Sequence, residues 1–382
     1  MVPVEIAGVG LHPFGRFPER SVTELAADAV RQALQRAGIG RGGFEAAYCA
    51  TVYSGVAAGH KVLGALGLSG VPIVNVEAGC ASGVAALVLG VQAIRSGQCD
   101  TVLVFGMEKM PRGVIRSSFF EPWQEQSGLN VSPAYFALRA RRLMQTSGVS
   151  AAHLARVSVK NHRHGVHNPY AMYRKEMSEA EVLGSAVVCE PLTLYMLCSP
   201  NEGAGAVVLR RKRGAGDGVV VRSAVQRSHL PGSVLGEHTP MSGLCDDAVP
   251  SPTERAAQAA YEEAGVGPAD FDVVELQDTD AARELLSYEE LGLCGRGQSA
   301  AWLDAGHAAM DGKQPVNPSG GLLAKGEPLG ASALAQVIEL YWQLRGEAGA
   351  RQVAGARLAL AHTVGRGANA GVVVLERMKD EG

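Results

Sequence analysis

Val74-Asn75-Val76-Glu77-Ala78-Gly79-Cys80-Ala81-Ser82-Gly83 passes from a strand-like segment through small residues straight into the apolar helix Val84-Ala85-Ala86-Leu87-Val88-Leu89-Gly90. A strand–turn–helix of this composition puts the Cys80 thiol at the positive end of the helix. Unsatisfied backbone N–H groups there favour a thiolate and can also receive an oxyanion. That is the arrangement of a nucleophile elbow. The alternative reading is a small buried Cys filling a tight turn.

Outward from this run, the chain is written twice. A helix with an Ala-rich face spans Ser21 to Gly38 and a second spans Ser251 to Gly265. The offset that lays Ala37-Gly38 on Ala264-Gly265 also carries Phe44 onto Phe271, each opening a short strand, Glu45–Thr51 and Asp272–Gln277. Val74-Asn75 then resembles Val316-Asn317, each ahead of a Gly-containing turn and a long apolar helix, Gly83–Ser96 and Gly330–Arg345. A strand follows each helix (Thr101–Gly106, Arg357–His362), and a last strand closes each half (Gly205–Leu209, Gly371–Glu376). One order of elements repeated implies a duplicated α/β unit about a pseudo-twofold. The halves are 1–213 and 219–382, with Gly214-Ala215-Gly216-Asp217-Gly218 as the hinge. The stretch of about 110–200 has no counterpart in the second half and reads as an inserted loop domain over the site.

Bulk composition narrows the function. The 382 residues are 47% apolar and 19% charged with a formal net charge of -3, which does not suggest nucleic acid. Arg210-Arg211-Lys212-Arg213 reads as a solvated loop after a strand. No apolar run reaches the ~18 residues of a membrane span. The opening Val2–Val9 reads as a strand without a leader pattern, and seven cysteines lack paired spacing, so we expect a reduced, cytoplasmic setting. Neither Cys-x-x-Cys nor His-Glu-x-x-His occurs, so no metal site is expected.

The Cys80 elbow, the two-half layout and the segment Val316-Asn317-Pro318-Ser319-Gly320-Gly321 through Lys325-Gly326-Glu327-Pro328-Leu329-Gly330-Ala331 resemble a thiolase, of the sterol-carrier and lipid-transfer type. Gly106-Met107-Glu108-Lys109-Met110, Asn168-Pro169-Tyr170-Ala171 and Ala361-His362-Thr363-Val364-Gly365 add to the resemblance, which covers essentially the whole chain. It implies a five-layer α-β-α-β-α fold, a homodimer, and acyl transfer between coenzyme A thioesters through an acyl-cysteine. No bound cofactor is implied. Some members also bind a small OB-fold, zinc-ribbon partner.

The sequence departs from the family where acid–base chemistry resides. Glu327 stands where the family has the His of Gly-His-Pro, and Gln277-Asp278-Thr279-Asp280 stands where it has a second His motif. An ordinary Glu carboxyl is more acidic than an ordinary thiol by about four pKa units, about 6 kcal/mol against proton transfer, which burial can narrow. A protonated Glu327 could instead donate to an enolate or thioester oxygen. Gln277 can offer an amide N–H to an oxyanion but cannot shuttle a proton. His362 is the only imidazole at a motif position, hence the acid–base candidate. Asp278 and Asp280 read as a carboxylate pair or a solvated rim. Asn317, Gly320, Gly321, Gly367 and Asp278 fall on the substrate and oxyanion side, the glycines as backbone approach points.

In the insert, Asn161-His162-Arg163-His164-Gly165-Val166-His167 with Tyr170 reads as a coenzyme A loop rather than a metal site, with His162, Arg163 and Tyr170 as contacts. Arg139, Arg141 and Arg142 are further phosphate candidates. Phe119, Phe120, Trp123, Tyr135, Phe136, Tyr170 and Tyr173 concentrate aromatic surface there, which suits a bulky acyl group or packing of the lid. Three functions remain open: thiolase-type acyl transfer, an aldol-type carbon–carbon lyase, and a non-catalytic acyl-CoA or lipid-binding subunit.

Overall fold

The computed structural model describes residues 2–113, 122–128, 131–214, 216–230, 249–365 and 368–378. The first half holds β1 (Val4–Gly15), α1 (Val22–Ala37), β2 (Ala46–Ala50), α2 (Ala58–Ala65), β3 (Ile73–Val76), α3 (Ser82–Arg95) and β4 (Thr101–Lys109). The insert adds α4 (Pro122–Gln126), α5 (Ser132–Ser147), α6 (Ala151–Gly165), α7 (Glu179–Leu183), β5 (Val187–Cys189) and β6 (Leu192–Thr193) before β7 (Glu202–Arg211) closes the half. The second half follows with β8 (Gly218–Ser228), α8 (Pro252–Ala264), β9 (Val273–Leu276), α9 (Ala281–Glu290), α10 (Ser299–Asp304), α11 (Gly321–Lys325), α12 (Leu329–Arg345), β10 (Leu358–Gly365) and β11 (Asn369–Met378).

The two copies are visible in their caps. Ser21 and Ser251 each accept from the backbone N–H three residues on, with Glu24 and Glu254 reaching back as capping boxes. Gly38 and Gly265 end α1 and α8 in left-handed conformation.

The strands form one sheet in the order β3-β2-β4-β7-β1-β8-β11-β10-β9. Each half contributes the same sequence of neighbours, mirrored about the β1–β8 seam, which pairs Val4, Glu5 and Ile6 with Val221, Val220 and Val219. Val316 makes only a parallel bridge to Val274, where β3 stands in the first half. α3 and α12 are buried along most of their length and lie between the halves, packed in one core with the inner faces of both sets of strands. Gly106 permits this closeness: a Cβ there would sit 2.0 Å from the Gly330 carbonyl oxygen. α1 and α2 cover the outer face of the first half, and α8 and α9 that of the second. The insert's α5 and α6 pack with α8 and α9, so the insert roofs the second half.

Candidate active site

Cys80 lies on the turn between β3 and α3, half-buried. Gly79 takes φ 61°, which a side chain would resist, and the Glu77 carboxylate accepts its N–H at 2.7 Å. The Ser82 hydroxyl accepts from Ala78 N–H at 2.9 Å and donates to the Gly79 carbonyl at 2.5 Å, tightening the loop around the thiol. No side chain caps α3 here; the turn itself takes up the Ala81 and Ser82 N–H groups, which donate to the Ala78 and Gly79 carbonyls at 3.3 and 3.1 Å.

The second half brings its strand ends to this turn. Thr363 on β10 donates to Gln277 Oε1 at 2.8 Å and approaches the Cys80 carbonyl at 3.4 Å. Val364 N–H also donates to Gln277 Oε1. With its oxygen committed, Gln277 turns its Nε2 to Glu327 Oε1 at 2.9 Å. The sequence reading offered this amide to an oxyanion; in the structure it orients a carboxylate. Glu327 is buried at 6% exposure, and its Oε2 accepts from the Cys198 thiol at 3.3 Å. Burial first, then the neighbouring carboxylate, pushes the Cys198 thiol well above the ordinary thiol range. Cys198 was absent from the sequence-derived site because no motif marks it. Leu197 bridging Asp280, across a large sequence separation, brings it here.

A cavity of about 960 Å³ opens onto Cys80, Cys198, Gln277 and Glu327. Tyr135, Phe136, Tyr173, Tyr195, Leu194, Leu323 and Leu329 supply much of its wall. His162 is part of that wall, buried between the rings of Tyr173 and Tyr195 at 6.1 and 6.4 Å, and its Nδ1 has no hydrogen-bond partner. Burial lowers its pKa to about 4, so the imidazole is neutral at pH 7. Arg139 also lines the cavity, paired with Asp280 and lying over Phe136 at 5.2 Å.

Other expected site residues lie elsewhere. His362 is fully buried on the face of β10 opposite Thr363, its Nε2 3.0 Å from the Thr253 hydroxyl, and burial drives its pKa well below the ordinary value. It is therefore not the acid–base group of this cavity. Asp278 and Asp280 are both buried and do not pair. Asp278 accepts from Leu322 N at 2.6 Å, Leu323 N at 3.1 Å and Asn161 Nδ2 at 2.7 Å, while Asp280 caps α9 and holds Arg139. Asn317 points its side chain into a buried network, donating to Glu284 at 2.8 Å and accepting from Leu276 N at 2.9 Å.

The glycines also meet protein rather than substrate. A Cβ on Gly320 would sit 2.6 Å from Gly165 Cα, and one on Gly321 2.1 Å from Asp278 Oδ2. Gly367, Phe119 and Phe120 lie outside the described residues. Tyr170, partly buried, stacks on Trp342 at 5.0 Å against the core and does not line the Cys80 cavity. Arg163 is exposed on a separate cleft of about 650 Å³ with Arg156, Lys160 and Arg351. Arg141 is tied to Glu190. Among the described residues no group of three His, Cys, Asp or Glu is placed to hold a metal ion, and no helix is long and apolar enough to cross a membrane.

Sequence comparison fits this geometry. The thiolase N-terminal domain matches residues 4–212, and a thiolase C-terminal domain-like family matches residues 237–377. The chain belongs to the thiolase family. Rabbit (Oryctolagus cuniculus) sterol carrier protein 2 is 37% identical over 98% of this chain and 72% of its own length. The benzoylsuccinyl-CoA thiolase subunit BbsB of Thauera aromatica is 37% identical over 96% of each chain. Among solved structures, one titled Ltp2-ChsH2(DUF35) aldolase superposes with a TM-score of 0.85 at 23% identity, over 99% of both chains, which shows the shared fold. Membership places the chain in a superfamily that handles acyl-CoA thioesters.

Proposed function

We propose that this chain makes or breaks the C2–C3 bond of a 3-oxoacyl-CoA, with Cys80 as acyl acceptor. The convergence of the Cys80 turn and the Cys198–Glu327–Gln277 chain on one cavity supports this reading. Cys80 supplies the nucleophile at a helix N-terminus, and the buried carboxylate with its thiol donor supplies acid–base capacity without an imidazole. A cavity of about 960 Å³ walled by aromatic rings suits a bulky acyl group. The name of the Thauera relative, a thiolase of an aromatic dicarboxylic thioester, points the same way.

A second reading is an aldol-type lyase, in which Glu327 takes the proton of a 3-hydroxyl and no acyl-cysteine forms. It is favoured by the displacement of His362 from the cavity and by the likeness to a solved aldolase assembly. Turnover of 3-oxoacyl-CoA with CoA and of 3-hydroxyacyl-CoA, each with wild type and Cys80→Ala, separates the two. Thiolytic products from wild type alone carry the first reading. Cleavage of the hydroxy substrate that survives Cys80→Ala carries the second, and binding without either reaction leaves a carrier or structural subunit.

Within the same proposal we place the chain in the cytoplasm as a homodimer, open to a small OB-fold, zinc-ribbon partner. None of the six described cysteines forms a disulfide, in keeping with a reducing compartment. Light scattering on the purified chain, alone and with candidate partners, reads the assembly.

A further inference from the structure

Breaking the C2–C3 bond of a 3-oxoacyl thioester leaves an electron pair on C2 that must collect a proton, and the condensation direction must remove one. Gln277 and Thr363 cannot shuttle protons at ordinary pH, His362 is buried against Thr253 outside the cavity, and His162, set between the rings of Tyr173 and Tyr195, has no partner at Nδ1 through which to relay a proton. The Cys198 thiol is half-buried on the cavity wall, so it can reach a ligand while donating to Glu327 at 3.3 Å. Both ends of this pair are fixed by backbone. Cys198 N–H donates to the Thr279 carbonyl at 2.9 Å, and Glu327 N–H donates to the Ser199 carbonyl at 2.9 Å. Gln277 holds the far carboxylate oxygen. Such a tether on three sides aims a thiol rather than merely filling space.

Resting on the acyl-cysteine reading, we propose that Cys198, backed by Glu327, is the proton donor and acceptor at C2 of the substrate. In the cleavage direction the Cys80 thiolate adds to the C3 carbonyl and the C2–C3 bond breaks. Its electron pair passes to C2 as the thioester enolate, and the Cys198 S–H proton moves to C2. The shortened thioester leaves. Free CoA thiol then gives its proton to Glu327, which returns it to the Cys198 sulfur. The CoA thiolate attacks the acyl carbonyl, and Cys80 departs as thiolate. Atoms and charges balance with CoA as the only co-reactant.

The two thiols divide the work: Cys80 has the uncapped helix end, and Cys198 has surroundings that keep its proton on. A tightly held proton makes Cys198 a poor nucleophile and a suitable partner for a carbon acid.

Exchange of acetyl-CoA methyl protons in D2O, followed by mass spectrometry, tests this step alone. Wild type is expected to deuterate the methyl group, and Cys198→Ala to slow exchange by about a hundredfold or more. Cys198→Ser, which keeps a donor to Glu327, guards against a packing defect and is expected to slow exchange at least about tenfold. Calorimetric binding of CoA to each variant establishes that the fold and the coenzyme site persist. Exchange by Cys198→Ala at the wild-type rate would overturn the assignment. So would absence of exchange in a wild type whose Cys80 is still acylated by the same thioester. Loss of both exchange and acylation in wild type sinks the acyl-cysteine reading itself, and the relay with it.

Discussion

His362 and Thr363 are neighbours on β10 with opposite roles. Strand side chains alternate faces, so the motif Ala361-His362-Thr363-Val364-Gly365 sends its imidazole to Thr253 on α8 and its hydroxyl to Gln277 and Cys80. Motif position alone hides this, because one step in register exchanges the faces. Cys80, Glu327 and Gln277, by contrast, were legible, and the structure brings all three onto one cavity wall. Cys198 was not, since its place depends on a pairing with the far half of the chain. Two outcomes follow. His362→Gln, which can still reach Thr253, should keep turnover within about threefold of wild type in a steady-state assay. Gln277→Leu leaves the Thr363 hydroxyl and Val364 N–H without their acceptor and frees the carboxylate. It should lower kcat by about 10- to 100-fold, with KM for the thioester moving far less.

Turns and helix ends carry the element-scale account. The sequence marked where both helices start, at Ser21 and Ser251, and both Ala-Gly helix ends, because their chemistry is local; the capping boxes at those serines came with the structure. It read Asn317, Gly320 and Gly321 as substrate contacts because small residues between a strand and a helix signal close backbone approach. The approach is real, but its object is protein, the insert for Gly320 and the second half's own buried carboxylates for Gly321 and Asn317. Gly320 meets Gly165 of α6, Gly321 meets the Asp278 carboxylate, and Asn317 joins Asn161, Lys160 and Tyr288 around the buried Glu284. This network docks the insert onto the strand end that carries Gln277. Gly320 has φ 92° as well as the 2.6 Å clash a Cβ would make. Gly320→Ala should therefore cost about 2–4 kcal/mol in urea unfolding. Glu284→Ala, which strands the Lys160 ammonium and two amides, should cost about 3–5 kcal/mol by the same measurement.

At the scale of the molecule, the duplicated pattern was readable because each half repeats its hydrophobic periods and caps. How the insert sits was not, since loop-domain packing is decided by contacts far apart in sequence. The account extends to acid stability. Burial lowers His162 to about 4 and His164 to about 3. A buried neutral imidazole with a depressed pKa contributes stability that is complete above about pH 6.5 and is lost as pH falls towards the folded value. Asp278 and Glu275, whose carboxyls burial raises, act in the opposite sense, so the net profile is flattened. Comparing wild type with His162→Leu isolates one group: between pH 6.5 and 4 wild type should lose roughly 3 kcal/mol more than the variant. Equal losses would show that His162 is solvated or paired.

The central claim is that Cys80 carries an acyl group in this cavity despite the missing imidazoles. Intact-protein mass spectrometry of wild type and Cys80→Ala, after mixing with acetyl-CoA and with bulky aromatic acyl-CoA thioesters, tests it most directly. The account predicts a mass increase equal to one acyl group on wild type, absent from Cys80→Ala, with the adduct mapped to the peptide carrying Cys80. No adduct from any thioester, with CoA binding intact, would contradict it.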